Sequence, residues 1–409
     1  MDRLRAFATI AGIACFLNVQ AHEAAVPRYR VNELSAPDSL KATCLKGYAQ
    51  QAWAGRTNDL GVVNGTFTCY SQVDPVTPPA TIQSDTFVAS PWFGAAALPR
   101  EGDGYSYSYT INNRGELFGY ERWDTPGFTG SKWTLAGGHE KIFYDPACEN
   151  IQFSAAVDGN GRYVVGWGLR GDPSQPPPLD QLCIFSRWLI RDAAGIETTV
   201  PLNGSPSALN ALDIAVGIAD RSAVRYNVRS GELRVLHAAD SSHSAEAADI
   251  NDLGEVAGRI TNNSTAEVFN QCDPSVAVRW ERSGSERKLP HLPGAVSSRA
   301  FGVGYNGETV GESGAGMYCG AASDGSTERA VIWIGARAYD LNTLIPRTGI
   351  TLTFAYSVNR RGQITASGYL NSEPMSVCPN YDAPVDGTPV LENVPCHNMH
   401  LFVLTPVGR

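Results

Sequence analysis

The stretch Ala248-Asp249-Ile250-Asn251-Asp252-Leu253-Gly254-Glu255-Val256-Ala257-Gly258 decides the fold. It reads as an apolar residue, then Asn-x-x-Gly, then a short apolar strand with a second Gly. Asn opens a tight turn because its side-chain oxygen accepts a backbone N–H two residues on. Gly closes the turn because it takes the positive φ that other residues resist. Short apolar runs on either side make the segment a β-hairpin.

Working outward, the pattern recurs at Asn58–Gly61, Asn112–Gly115, Asp158–Gly161, Asn210–Asp213, Gly304–Gly307 and Asn359–Gly362. The closing turn positions are therefore Gly61, Gly115, Gly161, Asp213, Gly254, Gly307 and Gly362, spaced by 41 to 55 residues. A period near ~50 belongs to propeller blades rather than to helical or leucine-rich repeats. The second Gly stands at Gly65, Gly119, Gly166, Gly217, Gly258 and Gly311, and Ala366 replaces it in the last copy. A glycine inside a strand marks a bulge or a close backbone approach. Each copy is followed by a variable insert, then by an aromatic-ended strand such as Ser131-Lys132-Trp133, Ser186-Arg187-Trp188 or Ala277 to Trp280. In the first copy Phe87 or Trp92 fills that place. A further turn and strand give four strands per unit. The expectation is an all-β chain forming a β-propeller of seven four-stranded blades.

Closure is also legible. Arg28-Tyr29-Arg30-Val31-Asn32-Glu33-Leu34 matches Ala338-Tyr339-Asp340-Leu341-Asn342-Thr343-Leu344 at Tyr, Asn and Leu. The chain then begins with the outer strand of a blade and ends at His400 to Pro406, where that strand is missing. The N-terminal strand is expected to complete the last blade and cover its edge.

Residues 1–21 read as a secretory signal peptide, with Arg3 and Arg5 ahead of the apolar stretch Ala6 to Val19. Residues 22–409 then form a single domain that is exported, to the periplasm or the extracellular space. The nine cysteines agree, because eight remain once Cys15 is set aside with the signal, and none forms a CxxC pair. Sequential disulfides are expected: Cys44–Cys69, Cys148–Cys183, Cys272–Cys319 and Cys378–Cys396. A net charge of -9 with no basic run excludes a nucleic-acid partner. No segment beyond the signal is long and apolar enough to span a membrane.

These residues resemble the HAF-repeat family of bacterial extracellular proteins. The likeness is carried by Ala248 to Gly258, by Val358-Asn359-Arg360-Arg361-Gly362-Gln363-Ile364 and by Tyr339-Asp340-Leu341-Asn342-Thr343-Leu344. His400-Leu401-Phe402 comes nearest to the His-Ala-Phe tripeptide. The resemblance implies an exported repeat protein with a propeller fold, and it carries no catalytic residues over.

Other motifs resolve into turns and strands. Gly302-Val303-Gly304-Tyr305-Asn306-Gly307 satisfies GxGxxG, but it is a hairpin turn followed by a strand, where a dinucleotide site needs a helix. Gly311-Glu312-Ser313-Gly314-Ala315 lacks the closing Gly of a nucleophile elbow. His397 and His400 enter a strand, where a spacing of three points side chains to opposite faces rather than onto one metal. Asp249 to Asp252 and Asp158 to Asn160 read as capped turns rather than Ca²⁺ loops. No catalytic, metal or cofactor residues are assigned, and the cofactor expected is none.

Binding is expected on the face where the inserts near 66–86, 121–130, 169–184, 260–275, 313–328 and 371–399 emerge. Trp123, Trp167, Tyr318 and Tyr381 fall outside the packing positions and are candidate ligand contacts, with Tyr105 and Tyr107 beside them. The leading expectation is a non-catalytic, monomeric binding module for a protein or glycan. The alternatives are a carbohydrate-active hydrolase or lyase, which needs paired carboxylates near the centre, and a structural envelope or matrix protein.

Overall fold

The computed structural model describes residues 26–407 apart from 43, 45–48, 73–80, 101–103, 123–126, 146–151, 171–184, 241, 263–273, 316–326 and 380–392. The expected signal segment, Trp123, Tyr318, Tyr381 and most of the insert residues lie outside the described part. Strands account for 63% and helix for 2%, which places the chain in the all-β class. Among the described residues no helix is long and apolar enough to cross a membrane.

The strands follow the expected grouping, except that Gln152–Gly159 also pairs in parallel with Gly127–Thr134, which links the second, third and fourth units into one eleven-stranded sheet. Gln51–Thr57, Val63–Gln72, Thr81–Ser90 and Gly94–Ala97 form one antiparallel sheet in chain order. Ser106–Ile111, Glu116–Glu121, Gly127–Thr134 and His139–Lys141 form the next. The long strand Glu197–Leu209 serves two units: its first half pairs with Phe185–Asp192 and its second with Ile214–Ala219. His243–Ile250 to Glu286–Lys288 and Ser297–Val303 to Arg337–Asp340 repeat the four-strand order. The last sheet combines Ile350–Val358, Ile364–Leu370 and His400–Val407 with the N-terminal Arg28–Leu34. That pairing runs from Arg28 opposite Val407 to Leu34 opposite Leu401. The second segment of the internal match behaves differently. Leu341–Thr343 is a 3₁₀ turn in which Asn342 donates to Asp340 and accepts from Leu352 N, whereas Asn32 is a strand residue opposite Val403.

The repeated motif does what its residues imply. In the fifth copy, Leu253 N and Glu255 N both donate to Asn251 Oδ1 at 3.0 Å, and Gly254 closes the turn at φ 83°. Asp213 takes φ 62° in the copy without Gly, held by Arg162 and Arg229 at 2.7 and 3.1 Å. The third copy corrects the reading that began it at Asp158. Asn160 makes the capping contacts, to Arg162 N and Tyr163 N, and the turn is one residue shorter. Asp158 stands two residues earlier and points elsewhere.

Each first strand carries a register shift just before its motif, between Ala54 and Thr57, Ser108 and Thr110, Ala156 and Asp158, Pro206 and Ala208, Ala247 and Asp249, Ala300 and Gly302, and Ala355 and Ser357. The second Gly of the motif sits opposite this bulge, as in Gly119 across from Ser108 and Gly258 across from Ala247. The bulged strand comes so close that a Cβ on Gly119 or Gly258 would strike the partner's carbonyl. The adjacent strand's carbonyl crowds Gly166, Gly217 and Gly311 in the same way, while Gly65 is crowded by the Phe87 and Leu401 side chains.

The core lies between sheets. Trp133, Trp188, Trp280 and Trp333 are almost completely buried in these inter-sheet clusters, each sealing its indole N–H with an acceptor such as Pro99 O, Ile218 O or Pro290 O. Phe87 fills that place in the first unit, while Trp92 stands 73% exposed. Leu401 and Val403 of the last sheet pack with Val63, Phe67 and Phe87 of the first. Fully burying such a side chain is worth roughly 1.5–3 kcal/mol.

A hydrogen-bond relay links successive motifs. Asn58 Nδ2 donates to Asn112 O, Asn112 to Gly159 O, Asn160 to Asn210 O, Asn210 to Asn251 O and Asn251 to Gly304 O. Asn359 then donates to Asn58 O at 2.9 Å, so the series returns to its start. Gly304 has no side chain to pass the relay on. There, Tyr305 Oη donates to Asp252 at 2.8 Å and lies under the Arg360 guanidinium.

Of the expected disulfides, Cys44–Cys69 is present. Cys396 is disulfide-bonded, on a strand that pairs with the one bearing Cys378. Cys148, Cys183, Cys272, Cys319 and the side chain of Cys378 lie outside the described residues.

Candidate functional site

The motif turns converge on a cavity of ≈ 310 Å³ lined by residues from every copy. In five copies the residue two before the motif Asn lines it: Arg56, Thr110, Asp158, Asp249 and Ser357. Arg56 Nη1 lies 2.5 Å from Asp249 Oδ1 and 3.9 Å from Asp158 Oδ2. Its other nitrogen donates to Ala248 O and Ser207 O at 3.1 and 3.3 Å. Asp158 accepts Leu209 N and Gly159 N, and Asp249 accepts Val303 N. Burial pushes Asp158 up to about 6, against the pull of Arg56 and the two backbone donors. All four carboxylate oxygens are engaged, so the cluster ties distant repeats together and presents no idle acid to a substrate.

A second buried acid is Glu312, in the segment resembling a nucleophile elbow. That segment is the strand Glu308–Gly314, and Ser313 Oγ donates to Ser297 O while accepting Leu292 N. Burial, opposed by the paired Arg299 and reinforced by Glu328, pushes Glu312 up to about 7.

His397 and His400 take separate partners. His397 stacks on Tyr369 with centroids 3.8 Å apart. His400 is held between Glu33 at 2.8 Å and Glu373 at 2.9 Å. Among the described residues no group of three His, Cys, Asp or Glu is placed to hold a metal ion.

The strand ends away from the motif turns carry aromatics. Tyr105, Tyr107 and Trp167, three of the sequence candidates, meet there with Tyr109, Tyr120, Phe128 and Phe153, all half-buried. Tyr107 and Tyr120 face each other in register and stack at 5.5 Å. Phe128 bridges Tyr120 at 4.6 Å, Phe153 at 5.1 Å and Trp167 at 5.8 Å. Tyr109 shares a hydrogen bond with Trp167. Burial raises the Tyr109 and Tyr120 hydroxyls well above the ordinary range, so both stay neutral donors. A smaller group, Trp53, Phe354, Tyr356 and Phe301, lines the first strands of other units, with the Arg299 guanidinium 5.6 Å from the Phe301 ring.

Sequence reasoning missed Tyr109, Tyr120, Phe128 and Phe153. Part of the signal was available, since Tyr105-Ser106-Tyr107-Ser108-Tyr109 alternates with the period of a strand. The Arg56 cluster had a fainter signal: the column two before Asn holds Arg or Asp in some copies and small residues in the others.

No family model matches this chain, and no curated protein matches it. Solved structures do. A prolyl endopeptidase is similar at 8% identity over 88% of this chain and 52% of that one, with a TM-score of 0.50. An uncomplexed Pyrococcus horikoshii acylaminoacyl peptidase gives 11% identity over 78% of this chain and 49% of that one, with a TM-score of 0.49. An oligogalacturonate lyase from Vibrio parahaemolyticus gives 9% identity over 92% and 93%, with a TM-score of 0.44. The chain spans about half the length of the peptidases it matches. At such identities the likeness concerns the fold alone, and that fold is propeller-like.

Proposed function

We propose that this chain is an exported glycan-binding module built on a closed propeller of seven four-stranded blades. Closure is supported by the N-terminal strand in the last sheet, by the bond from Asn359 to Asn58, and by the shared core of the last and first sheets. The resemblance to HAF-repeat proteins and the Cys44–Cys69 disulfide support export.

The observation that carries the binding function is the half-buried aromatic patch around Tyr107, Tyr120, Phe128 and Trp167. Rings with one apolar face and neutral hydroxyls at their edge suit a sugar, which offers an apolar face rimmed by hydroxyls. The patch lies toward the ends of the strands from which the inserts leave. The hydrolase or lyase reading rests on Asp158 and Asp249, but their oxygens are occupied by Arg56 and backbone donors.

The test is tryptophan fluorescence and thermal shift of the full chain, disulfides intact, against xylan, β-glucan and chitin oligosaccharides. Binding is expected to raise the melting temperature and to weaken roughly tenfold or more in Trp167→Ala, the scale of a binding hot spot. Binding unchanged in Trp167→Ala and Tyr107→Ala, or none to any saccharide, overturns the glycan reading. New chain ends in the binding mixture turn the assignment to the enzyme.

A further inference from the structure

We propose that Arg225, Arg234 and Arg282 form a binding site for a sulfate or phosphate group, at the motif-turn end of the fourth and fifth units. Arg225 and Arg234 come from the paired strands Ser222–Asn227 and Leu233–His237, where they stand directly opposite each other. Arg282 belongs to the turn that follows Ser275–Trp280 in the next unit. Arg225 Nη1 donates to Arg282 O at 3.1 Å, and Arg234 Nη2 donates to the next carbonyl, Ser283 O. Consecutive carbonyls of one turn therefore hold two guanidinia beside the residue that carries the third. The motif turn at Gly254 adjoins them, since a Cβ added there would lie 3.3 Å from Arg282 Cγ and 3.5 Å from Arg225 Nη2.

Like charges directly opposite on paired strands are destabilising, and here the chain does not offset them. Elsewhere Arg56, Arg162, Arg191, Arg259, Arg279 and Arg299 each stand against a carboxylate. Among the described residues Arg225, Arg234 and Arg282 make no ion pair. Acids are plentiful in a chain of net charge -9, so the cluster is a local feature and not part of a basic surface. Arg225 is half-buried, while Arg234 and Arg282 are exposed. Burial lowers the pKa of the Arg225 guanidinium, and Arg234 and Arg282 lower it further against the pull of Glu232. A bound anion relieves the repulsion and offsets the lost hydration together.

A guanidinium presents several N–H donors in a planar fork that fits oxyanions. Arg225 and Arg234 each use one nitrogen on a turn carbonyl, which leaves their other donors to a ligand. Three such cations match a doubly charged group with three or more oxygens, which sulfate and phosphate supply and a carboxylate does not. The cluster is separate from the aromatic patch, which lies at the other ends of the strands.

The experiment is isothermal titration calorimetry of the full, disulfide-intact chain, with ionic strength held constant by chloride. The ligands are inorganic phosphate, inorganic sulfate, glucose 6-phosphate, glucose 6-sulfate and glucuronate. Saturable binding of phosphate and sulfate is expected. It should weaken roughly tenfold or more in Arg225→Gln and in Arg234→Gln, the scale of a lost hydrogen bond to a charged group. Arg191→Gln, whose partner is Glu140, should leave it unchanged. Tighter binding of the glucose esters supports the site with a group carried on a larger molecule, and tighter binding of the inorganic ions supports it with the free ion. Circular dichroism melts check that each variant is folded. No saturable binding of any sulfate or phosphate, glucuronate binding as tightly as they do, or affinities unaltered by both Arg225→Gln and Arg234→Gln, overturns the proposal.

Discussion

Replacing Gly119 by Ala tests the bulge directly. Gly119 lies opposite Ser108, where the partner strand bulges at Tyr109. Its φ is not in the left-handed region, so the backbone itself would accept Ala. With free space around it, the change would stabilise the chain by about 0.4–1 kcal/mol through the unfolded state. The space is not free. An added Cβ would lie 2.8 Å from both Ser108 Cα and the Tyr107 carbonyl carbon, and nearer still to that carbonyl's oxygen, where real Cβ atoms stay beyond 3.0 Å. The colliding atoms are backbone and cannot rotate away, so an overpacking cost of about 1–3 kcal/mol applies and the sign reverses. The seventh unit provides the internal control. Ala366 is native there because a second register shift, between Leu352 and Phe354, moves the close approach to Gly368, whose Cβ would lie 2.8 Å from Leu352 Cα. Gly368→Ala is therefore expected to destabilise like Gly119→Ala, while Ala366→Gly costs only about 0.5–1 kcal/mol. Urea unfolding followed by circular dichroism and tryptophan fluorescence measures all three. A Gly119→Ala variant as stable as wild type, or more stable, would refute the argument.

Three further outcomes follow from the charged groups and the disulfide. Asp158 is raised from 3.8 to about 6 by burial, so protonating it favours the folded state. That contribution is fully present below pH 3.8 and is lost as pH rises through about 6, and Asp158→Asn should remove this fall from urea midpoints measured at stepped pH. Burial lowers the His400 imidazole, but Glu33 and Glu373 outweigh it and raise the pKa above 6.5. Its stabilisation is present below pH 6.5 and fades as pH rises through the raised value, a trend that His400→Gln should lack in thermal melts across that range. Cys44→Ser removes a crosslink spanning 25 residues and is expected to cost about 2–4 kcal/mol in denaturant titrations, with no loss if the unfolded chain is unconstrained by it.

The repeat, its turns and the strand order within a unit were legible from sequence because they depend on local chemistry: Asn caps its own turn, Gly or Asp213 takes positive φ, and successive strands of a unit pair with one another. The N-terminal strand pairs with His400–Val407 at the other end of the chain, and it was legible only through its match to Ala338–Leu344. The buried tryptophans were legible for the same reason, as the apolar ends of recurring strands. The bulge was only half visible. The second glycine flagged a close approach, but only the pairing shows that the adjacent strand's carbonyl demands it, and that an extra bulge frees Ala366 from the rule. The third motif was misplaced by two residues because Asp158 and Asn160 are both good turn formers, and only the bonds to Arg162 and Tyr163 choose between them. What no single repeat encodes is the company its side chains keep. Arg56, Asp158 and Asp249 come from three units and meet only because the strands converge. The aromatic patch gathers Tyr107, Phe128 and Trp167 from two units in the same way. Such sites depend on contacts between residues far apart in sequence, which the packing of one sheet on the next decides.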